Sequence, residues 1–293
     1  MSIINKPTTK LGNITVPADM KGKDLLKWMV ENKALLIAEK KSAIKHADAI
    51  AVDCSLSEKY FIDKSGTLVK ASKELPGEPS GQETVIVVIN TTNWLDSHGD
   101  VHIPGLWKKS LKDNKQFLHL QEHEMEFQCV ISDEAKGYTE NINWKELGLN
   151  VPGMTEALIF ATPLTGRNPY MEDQYRKGYV KNHSVGMRYV TIKLCVNESE
   201  DEYYKEEYAN WVQYAPQVVN IADAEAQGYF WAVLEAKIIE GSAVVKGSNI
   251  ITPTRGFKSV QPAAATGHNQ PHVSTGSKGG EIDWEKIANK LSI

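Results

Sequence analysis

The chain has 293 residues, 41% of them apolar and 24% charged, enough to bury a core of ordinary size. Thirty-three basic residues stand against 37 acidic ones, a formal charge of -4. That balance lacks the basic excess needed to hold a phosphate backbone, which excludes nucleic acid as a primary partner. Cys54, Cys129 and Cys195 are odd in number, far apart and without a CxxC pair, which excludes a disulfide framework and a zinc ribbon and reads as reduced thiols in a cytosol-like compartment. The opening MSIINKPTTKLGNITV has no apolar signal core, and the longest apolar runs are of strand length, so the expectation is a soluble protein with no membrane partner.

Residues 1–20 look irregular. From 23 to about 48, Leu25, Leu26, Met29, Val30, Leu36 and Ile37 recur near helical spacing and predict one amphipathic helix, with Lys40, Lys41, Lys45 and His46 toward its C-terminal end. The Gly-, Ser-, Pro- and Lys-rich stretch 63–82 reads as a linker, which makes 1–82 an N-terminal arm. Strand texture begins at Glu83 with ETVIVVINTT and continues in FLHLQEHEMEFQCVIS and TEALIFATPL. Asn168-Pro169 opens a short helix that Gly178 closes, and VKNHSVGMRYVTIKLCV follows as a long strand. The acidic, Tyr-rich segment at about 196–228 reads as a partly helical surface insertion, before GYFWAVLEAKIIEGSAVV returns to strand. A core domain over 83–257 of α+β class is expected, a β-rich barrel or sandwich with short helices around it. The remainder, 258–293, is a low-complexity tail ending in EIDWEKIANKLSI, where Ile282, Trp284, Ile287 and Leu291 form the stripe of a short docking helix.

Acyl-transfer chemistry needs a hydroxyl or thiol, a base within hydrogen-bond reach and a group that orients the base. Histidines fall at His98 and His102, at His119 and His123, and at His183, which directly precedes Ser184. On a continuous strand His119, Gln121 and His123 share a face, so by pattern either histidine qualifies as base. Ser184 opens Ser-Val-Gly at the start of an apolar strand, where Gly186 permits close backbone approach. Taken alone, that serine reads as ordinary turn chemistry. Glu240 ends an apolar strand, where a buried carboxylate is costly unless paired, and pattern alone ranks solvent exposure first for it. A Cys129–His123 pair is disfavoured, because six residues along a straight strand span about 20 Å. A metal site built from His98, His102 and His123 has no supporting spacing.

Taken in order, four segments resemble the tailed-phage prohead protease family. DSHGDVHIPGLW (96–107) is similar to the family's D-x-x-G-D-x-x-x-P-G signature, and His123 resembles its catalytic histidine. SVGM (184–187) is similar to its Ser-Ile/Val-Gly-Phe motif, and LEAKIIEGSAVV (234–245) resembles its L-x-E-x-S-x-V strand, with Glu240 and Ser242 at the polar positions. The resemblance spans roughly 83–256. It implies a β-barrel core like that of herpesvirus assemblins, with no cofactor or metal. It implies limited proteolysis of scaffold and capsid-protein delta segments, and of the chain itself, inside the immature shell in the host cytoplasm, with homodimerisation or assembly on the inner capsid surface open. The implied triad is Ser184 as nucleophile, His123 as base and Glu240 as orienting group, with Asp96 or Asp100 next in line for the third role. The backbones of Val185-Gly186 and of Arg255-Gly256 are the oxyanion candidates. Where relatives carry Pro-Ile-Gly after the histidine, this chain has Gln128-Cys129-Val130. The competing expectation is a non-catalytic scaffolding or structural virion protein, or a protease fused to a scaffold, to which the N-terminal helix and the C-terminal hook are equally suited.

Overall fold

Runs of Val, Ile and Thr pack best on a pleated, half-buried surface, and here the long ones collect in one eight-stranded sheet. The computed structural model describes residues 9–11, 14–16, 20–45, 60–62, 68–70, 83–247 and 251–258. In chain order these form β1 (Thr9–Leu11), β2 (Ile14–Val16), α1 (Gly22–Glu31), α2 (Lys33–Ser42), β3 (Tyr60–Ile62), β4 (Leu68–Lys70), β5 (Thr84–Thr91), β6 (Asp100–His102) and α3 (Lys108–Asp113). There follow β7 (Phe117–Gln121), β8 (Val130–Asn143), β9 (Met154–Pro163), α4 (Pro169–Arg176), β10 (Asn182–Val196), α5 (Lys205–Tyr214), α6 (Ile221–Gln227), β11 (Tyr229–Val244) and β12 (Thr254–Lys258). They belong to the unit Met1–Val260; residues 259–293, the tail with its expected docking helix, lie outside the described residues.

The class is α+β. Eight strands make one mixed sheet in the order β10-β11-β7-β8-β9-β5-β12, with β6 pairing β11 off that path. β11 runs parallel to both β6 and β7, and the other pairs are antiparallel. The end strands β10 and β12 do not pair, so the expected closed barrel is not formed. The physical reason lies on the outer edge of β10. Its backbone groups are met there by Lys45, which exchanges hydrogen bonds with Met187, and by the Thr252 hydroxyl at His183, rather than by another long strand.

The single helix expected over 23–48 is two helices. Asn32 breaks it, with its backbone N–H and its side-chain amide both donating to the Trp28 carbonyl at 3.0 and 2.8 Å. The pair is built into the core: Leu26, Met29 and Leu36 are buried, and the Lys40 ammonium makes a buried ion pair with Asp100, to whose other oxygen the Tyr189 hydroxyl donates at 2.8 Å. Lys33 adds contacts to Glu206 and Glu207 at 2.9 and 2.6 Å. Within the expected irregular start and linker, β1 pairs β2 and β4 pairs β3; the rest of 63–82 lies outside the described residues.

The expected surface insertion is instead a second apolar layer. Trp211, Tyr214, Val218 and Ala224 pack with Cys195, Phe230 and Ala232 of β10 and β11, and the Asn210 amide donates to the Leu194 carbonyl at 3.0 Å. Most of its acidic residues are exposed, which is why its composition reads as surface, while Glu207 is buried against Lys33. No helix among the described residues is long and apolar enough to cross a membrane.

Removing one partner of a buried ion pair leaves the other charge uncompensated, at a cost of about 3–5 kcal/mol. Lys40→Ala is therefore expected to lower the urea unfolding free energy by about that amount, and Asp100→Asn in the same chain should recover part of the loss. Equal midpoints for wild type and Lys40→Ala would show that Lys40 does not anchor α2.

Candidate active site

The strand expected to run unbroken through FLHLQEHEMEFQCVIS stops at Gln121. Glu122 and His123 both take left-handed backbone conformations, φ 50° and 61°, and the chain turns through a 3-10 segment, Phe127–Cys129, before β8. Left-handed backbone costs about 1–2 kcal/mol per non-glycine residue. Three hydrogen bonds hold it here: Glu122 N–H to the Ala243 carbonyl at 2.9 Å, Val245 N–H to the Glu122 carboxylate at 2.8 Å, and His123 N–H to the Ser242 hydroxyl at 3.2 Å. The turn separates two histidines that a straight strand would keep together, and it removes the premise that set Cys129 far from His123. Cys129 is still a poor nucleophile, because burial first, and then Glu126 and Glu124, push its thiol above the usual range.

The turn delivers His123 to a carboxylate. The pairing of β10 with β11 sets Ser184 opposite Ser242 and Gly186 opposite Glu240, so all four residues share one face of the sheet. Glu240, which the sequence pattern placed in solvent, is fully buried. Its Oε1 lies 2.7 Å from His123 Nδ1, and its Oε2 accepts the Ser242 hydroxyl at 2.5 Å. A carboxylate bonded to Nδ1 selects the Nδ1–H tautomer, which places the lone pair of the neutral ring on Nε2. Ser242 completes a closed circuit: the hydroxyl that donates to Glu240 also accepts from the His123 backbone.

Gly186 is needed for this arrangement. A Cβ built there would lie 1.9 Å from Glu240 Oε1 and 2.8 Å from its carboxyl carbon, so the Glu240 side chain occupies the space a residue-186 side chain would fill. Two residues back on the same face, Ser184 Oγ is buried and has no hydrogen-bond partner among the described residues. Directly opposed residues of an antiparallel pair have Cβ atoms about 4.5–5.5 Å apart, which puts Ser184 one strand spacing from the Ser242 hydroxyl that touches His123. A buried hydroxyl left unbonded is unfavourable, and such groups often mark positions awaiting a reaction partner.

The other histidines are committed elsewhere. His119 faces away from His123: its Nδ1 accepts from the Thr162 hydroxyl at 2.7 Å, and its Nε2 lies 3.0 Å from the Tyr175 hydroxyl. That hydroxyl also lies 3.0 Å from His183 Nε2, while His183 Nδ1 donates to the Thr252 carbonyl at 2.8 Å. His102 bonds Asn90 at 3.1 Å in the buried group that holds Asp100, Tyr189 and Lys40. Asp96 caps the tight turn of its own loop, accepting from the N–H groups of His98 and Asp100. Neither aspartate therefore supplies the third member. His98, His102 and His123 are not gathered, and no metal-holding group of three is present among the described residues. Arg255-Gly256 lies in β12, paired with β5 at the other end of the strand order, with the guanidinium on Glu140. Val185-Gly186 adjoins Ser184. Sequence reasoning placed Ser242 beside Glu240 at a polar position of the strand but gave it no role; its bonds to the Glu240 carboxylate and the His123 N–H appear only in the fold.

No protein-family model matches this chain, and no curated protein or solved structure is significantly similar to it.

Burial lowers the ionisation of His102 and His183 from 6.5 to about 4, against opposing contributions from Asp100 and the Thr252 carbonyl respectively. Burial first and then His183 hold His119 well below the usual value. All three are neutral in the folded state, so between pH 6.5 and about 4 the unfolded chain binds protons that the folded chain does not. Stability must fall as pH falls through that window. Thermal unfolding between pH 7.5 and 4.5 should show a midpoint that drops steeply below about pH 6, and less so in His102→Gln. A flat profile would contradict the neutral, buried assignment.

Proposed function

We propose that this protein is a serine endopeptidase of the type that matures tailed-phage proheads, with Ser184 as nucleophile, His123 as general base and Glu240 as the group that orients the base. One observation carries the reading: the buried Glu240 carboxylate grips His123 Nδ1 on the same sheet face that presents an unbonded Ser184 hydroxyl. A structural strand has no use for that combination. The ordered motifs DSHGDVHIPGLW, SVGM and LEAKIIEGSAVV support the narrower assignment, in which the substrates are scaffold and capsid-protein segments and the chain itself, with assembly inside an immature shell in the host cytoplasm. Kinship to the assemblin fold is part of this proposal; an open mixed sheet takes the place of the closed barrel. The terminal segments fit the scaffold-type alternative and the enzyme alike, while the site favours the enzyme.

In the proposed reaction, His123 Nε2 takes the proton of Ser184 as its oxygen bonds to the scissile carbonyl carbon. The carbonyl electrons move to oxygen, and the Val185-Gly186 backbone is the nearest source of N–H donors for that oxyanion. Collapse breaks the C–N bond, and the imidazolium returns its proton to the departing amine. Water then attacks the acyl ester with His123 again as base, releasing the acid and regenerating Ser184. Glu240 stays ionised throughout, fixing the ring and stabilising its cationic form. Met125 and Phe127, strongly exposed on the turn that follows His123, present apolar contacts suited to a polypeptide.

Labelling with a fluorophosphonate should modify wild type at Ser184 and leave Ser184→Ala untouched. Intact mass followed over time should show trimming in wild type alone; identical masses together with no labelling would remove the assignment. Glu240→Gln should lower turnover by up to about 10⁴-fold, as amide replacement of the orienting carboxylate does in well-studied triads. Ser242→Ala is expected to reduce kcat about tenfold to a hundredfold with little change in KM, a positioning effect comparable to loss of an outer-shell hydrogen bond. Full activity in Ser242→Ala would leave the hydroxyl a purely structural role.

A further inference from the structure

Ser184 stands near the start of β10, and every hydrogen-bonding group of its neighbour His183 is engaged. The His183 N–H donates to the Thr252 hydroxyl at 3.1 Å, and that hydroxyl donates back to the His183 carbonyl at 2.6 Å. Its ring bonds the Thr252 carbonyl through Nδ1 at 2.8 Å and the Tyr175 hydroxyl through Nε2 at 3.0 Å. Successive side chains of a strand point to opposite faces, so the His183 ring lies on the face opposite the Ser184 hydroxyl. There it is fully buried and stacked on Tyr175, with centroids 6.0 Å apart and planes 8° from parallel.

One arrangement of protons satisfies the row of bonds that leads from this ring. The Thr252 carbonyl can only accept, so His183 Nδ1 carries a proton. Burial keeps the ring neutral, which makes Nε2 an acceptor and the Tyr175 hydroxyl its donor. That hydroxyl has a single proton, so His119 Nε2 must donate in its own 3.0 Å contact with Tyr175. His119, also neutral, then presents a bare Nδ1 to the Thr162 hydroxyl. Each bond fixes the next, and Tyr175 touches both rings.

We propose that Tyr175 and Thr252 are positioning residues for the nucleophile: they clamp the ring and backbone of His183 and so set the direction in which Ser184 points on the opposite face. The proposal rests on the protease reading and adds to it two buried residues that act through His183. On its β11 side the strand is fixed by the pairing of Ser184 with Ser242, but β10 ends the sheet, with no long strand beyond it. A strand paired along one edge can rotate about its own axis, and such a rotation changes where Ser184 points relative to Glu240 and Ser242. Thr252 closes the other edge at His183, and Tyr175 holds the ring against rotation from below the sheet. The helix that supplies Tyr175, α4, also reaches the base: the Asn168 side chain at its start accepts from the Met171 N–H at 3.0 Å and donates to the carbonyl of Gln128, in the turn after His123, at 3.0 Å. One short helix thus braces the segments that carry both reacting groups.

Fluorophosphonate labelling of the full chain tests the clamp, since it separates reagent binding, KI, from the rate of attack by Ser184, kinact. Tyr175→Phe keeps the ring and removes the hydroxyl; Thr252→Val removes a hydroxyl that Thr252→Ser retains. Tyr175→Phe and Thr252→Val should each lower kinact about tenfold to a hundredfold at unchanged KI, as a misplacement of about 1 Å does at a reacting group, while Thr252→Ser stays within about twofold of wild type. His102→Gln, which disturbs the separate buried group around Asp100, controls for lost stability, and every protein is assayed where it is fully folded. Equal kinact in wild type, Tyr175→Phe and Thr252→Val overturns the clamp and leaves the nucleophile in place, as does an equal slowing in His102→Gln. Absence of labelling in wild type removes the protease reading and the clamp with it. A second measurement needs no variant to fold: nitrogen–proton correlation spectra of the wild-type histidine rings near neutral pH should show His183 protonated at Nδ1 and His119 at Nε2. The opposite tautomer at either ring overturns the proposal.

Discussion

A carboxylate removed from water must find partners for both oxygens, and at Glu240 the imidazole of His123 and the hydroxyl of Ser242 are those partners. The surrounding features follow from that demand. Residue 186 has to be glycine because the carboxylate lies where a side chain would be. The chain after β7 has to enter left-handed backbone so that the ring of His123 reaches Oε1 while its N–H reaches Ser242. Ser184 is brought to the same face by the register of β10 on β11, with no separate device.

A second buried charge anchors the N-terminal helices. Asp100, held by Lys40 and Tyr189, ties α2 to the start of β6, and α2 in turn carries the chain to Lys45 and the edge of β10. The segment that composition marks as an arm is therefore structural at least as far as its described residues extend. A neutral chain of hydrogen bonds, Thr162–His119–Tyr175–His183–Thr252, joins β9, β7, α4 and β10. The histidines thus divide by environment: His102, His119 and His183 are buried among neutral or uncharged partners, and His123 sits at the turn after β7 against the Glu240 carboxylate.

How much of this was legible varies by residue. The long strands at 182–196 and 229–244 were plain from their β-branched and aromatic runs, and the Asn168-Pro169 start and Gly178 stop of α4 were plain from capping chemistry. Ser184, His123 and Glu240 were identifiable as a set, yet the burial of Glu240 was not, because a strand-end glutamate usually faces water. The division of the helix at Asn32 was missed since its apolar spacing continues across the break. The acidic insertion misled for a related reason: its charges dominate the composition, whereas Trp211, Tyr214 and Val218 decide where it packs.

By itself the sequence determined the local preferences: which runs extend, where helices begin and end, and which hydroxyl, imidazole and carboxylate exist to be combined. These depend on neighbours a few positions apart and are written in spacing and residue type. The tertiary structure alone decided that β11 lies parallel to β7 and antiparallel to β10, that β10 ends the sheet instead of forming one seam of a barrel, and that His123 rather than His119 meets Glu240. Those outcomes rest on contacts between residues more than a hundred positions apart, such as His123 with Glu240, and on the conformation of a two-residue turn. A one-residue change in strand exit redirects a side chain to the opposite face, and no pattern read along the chain carries that information.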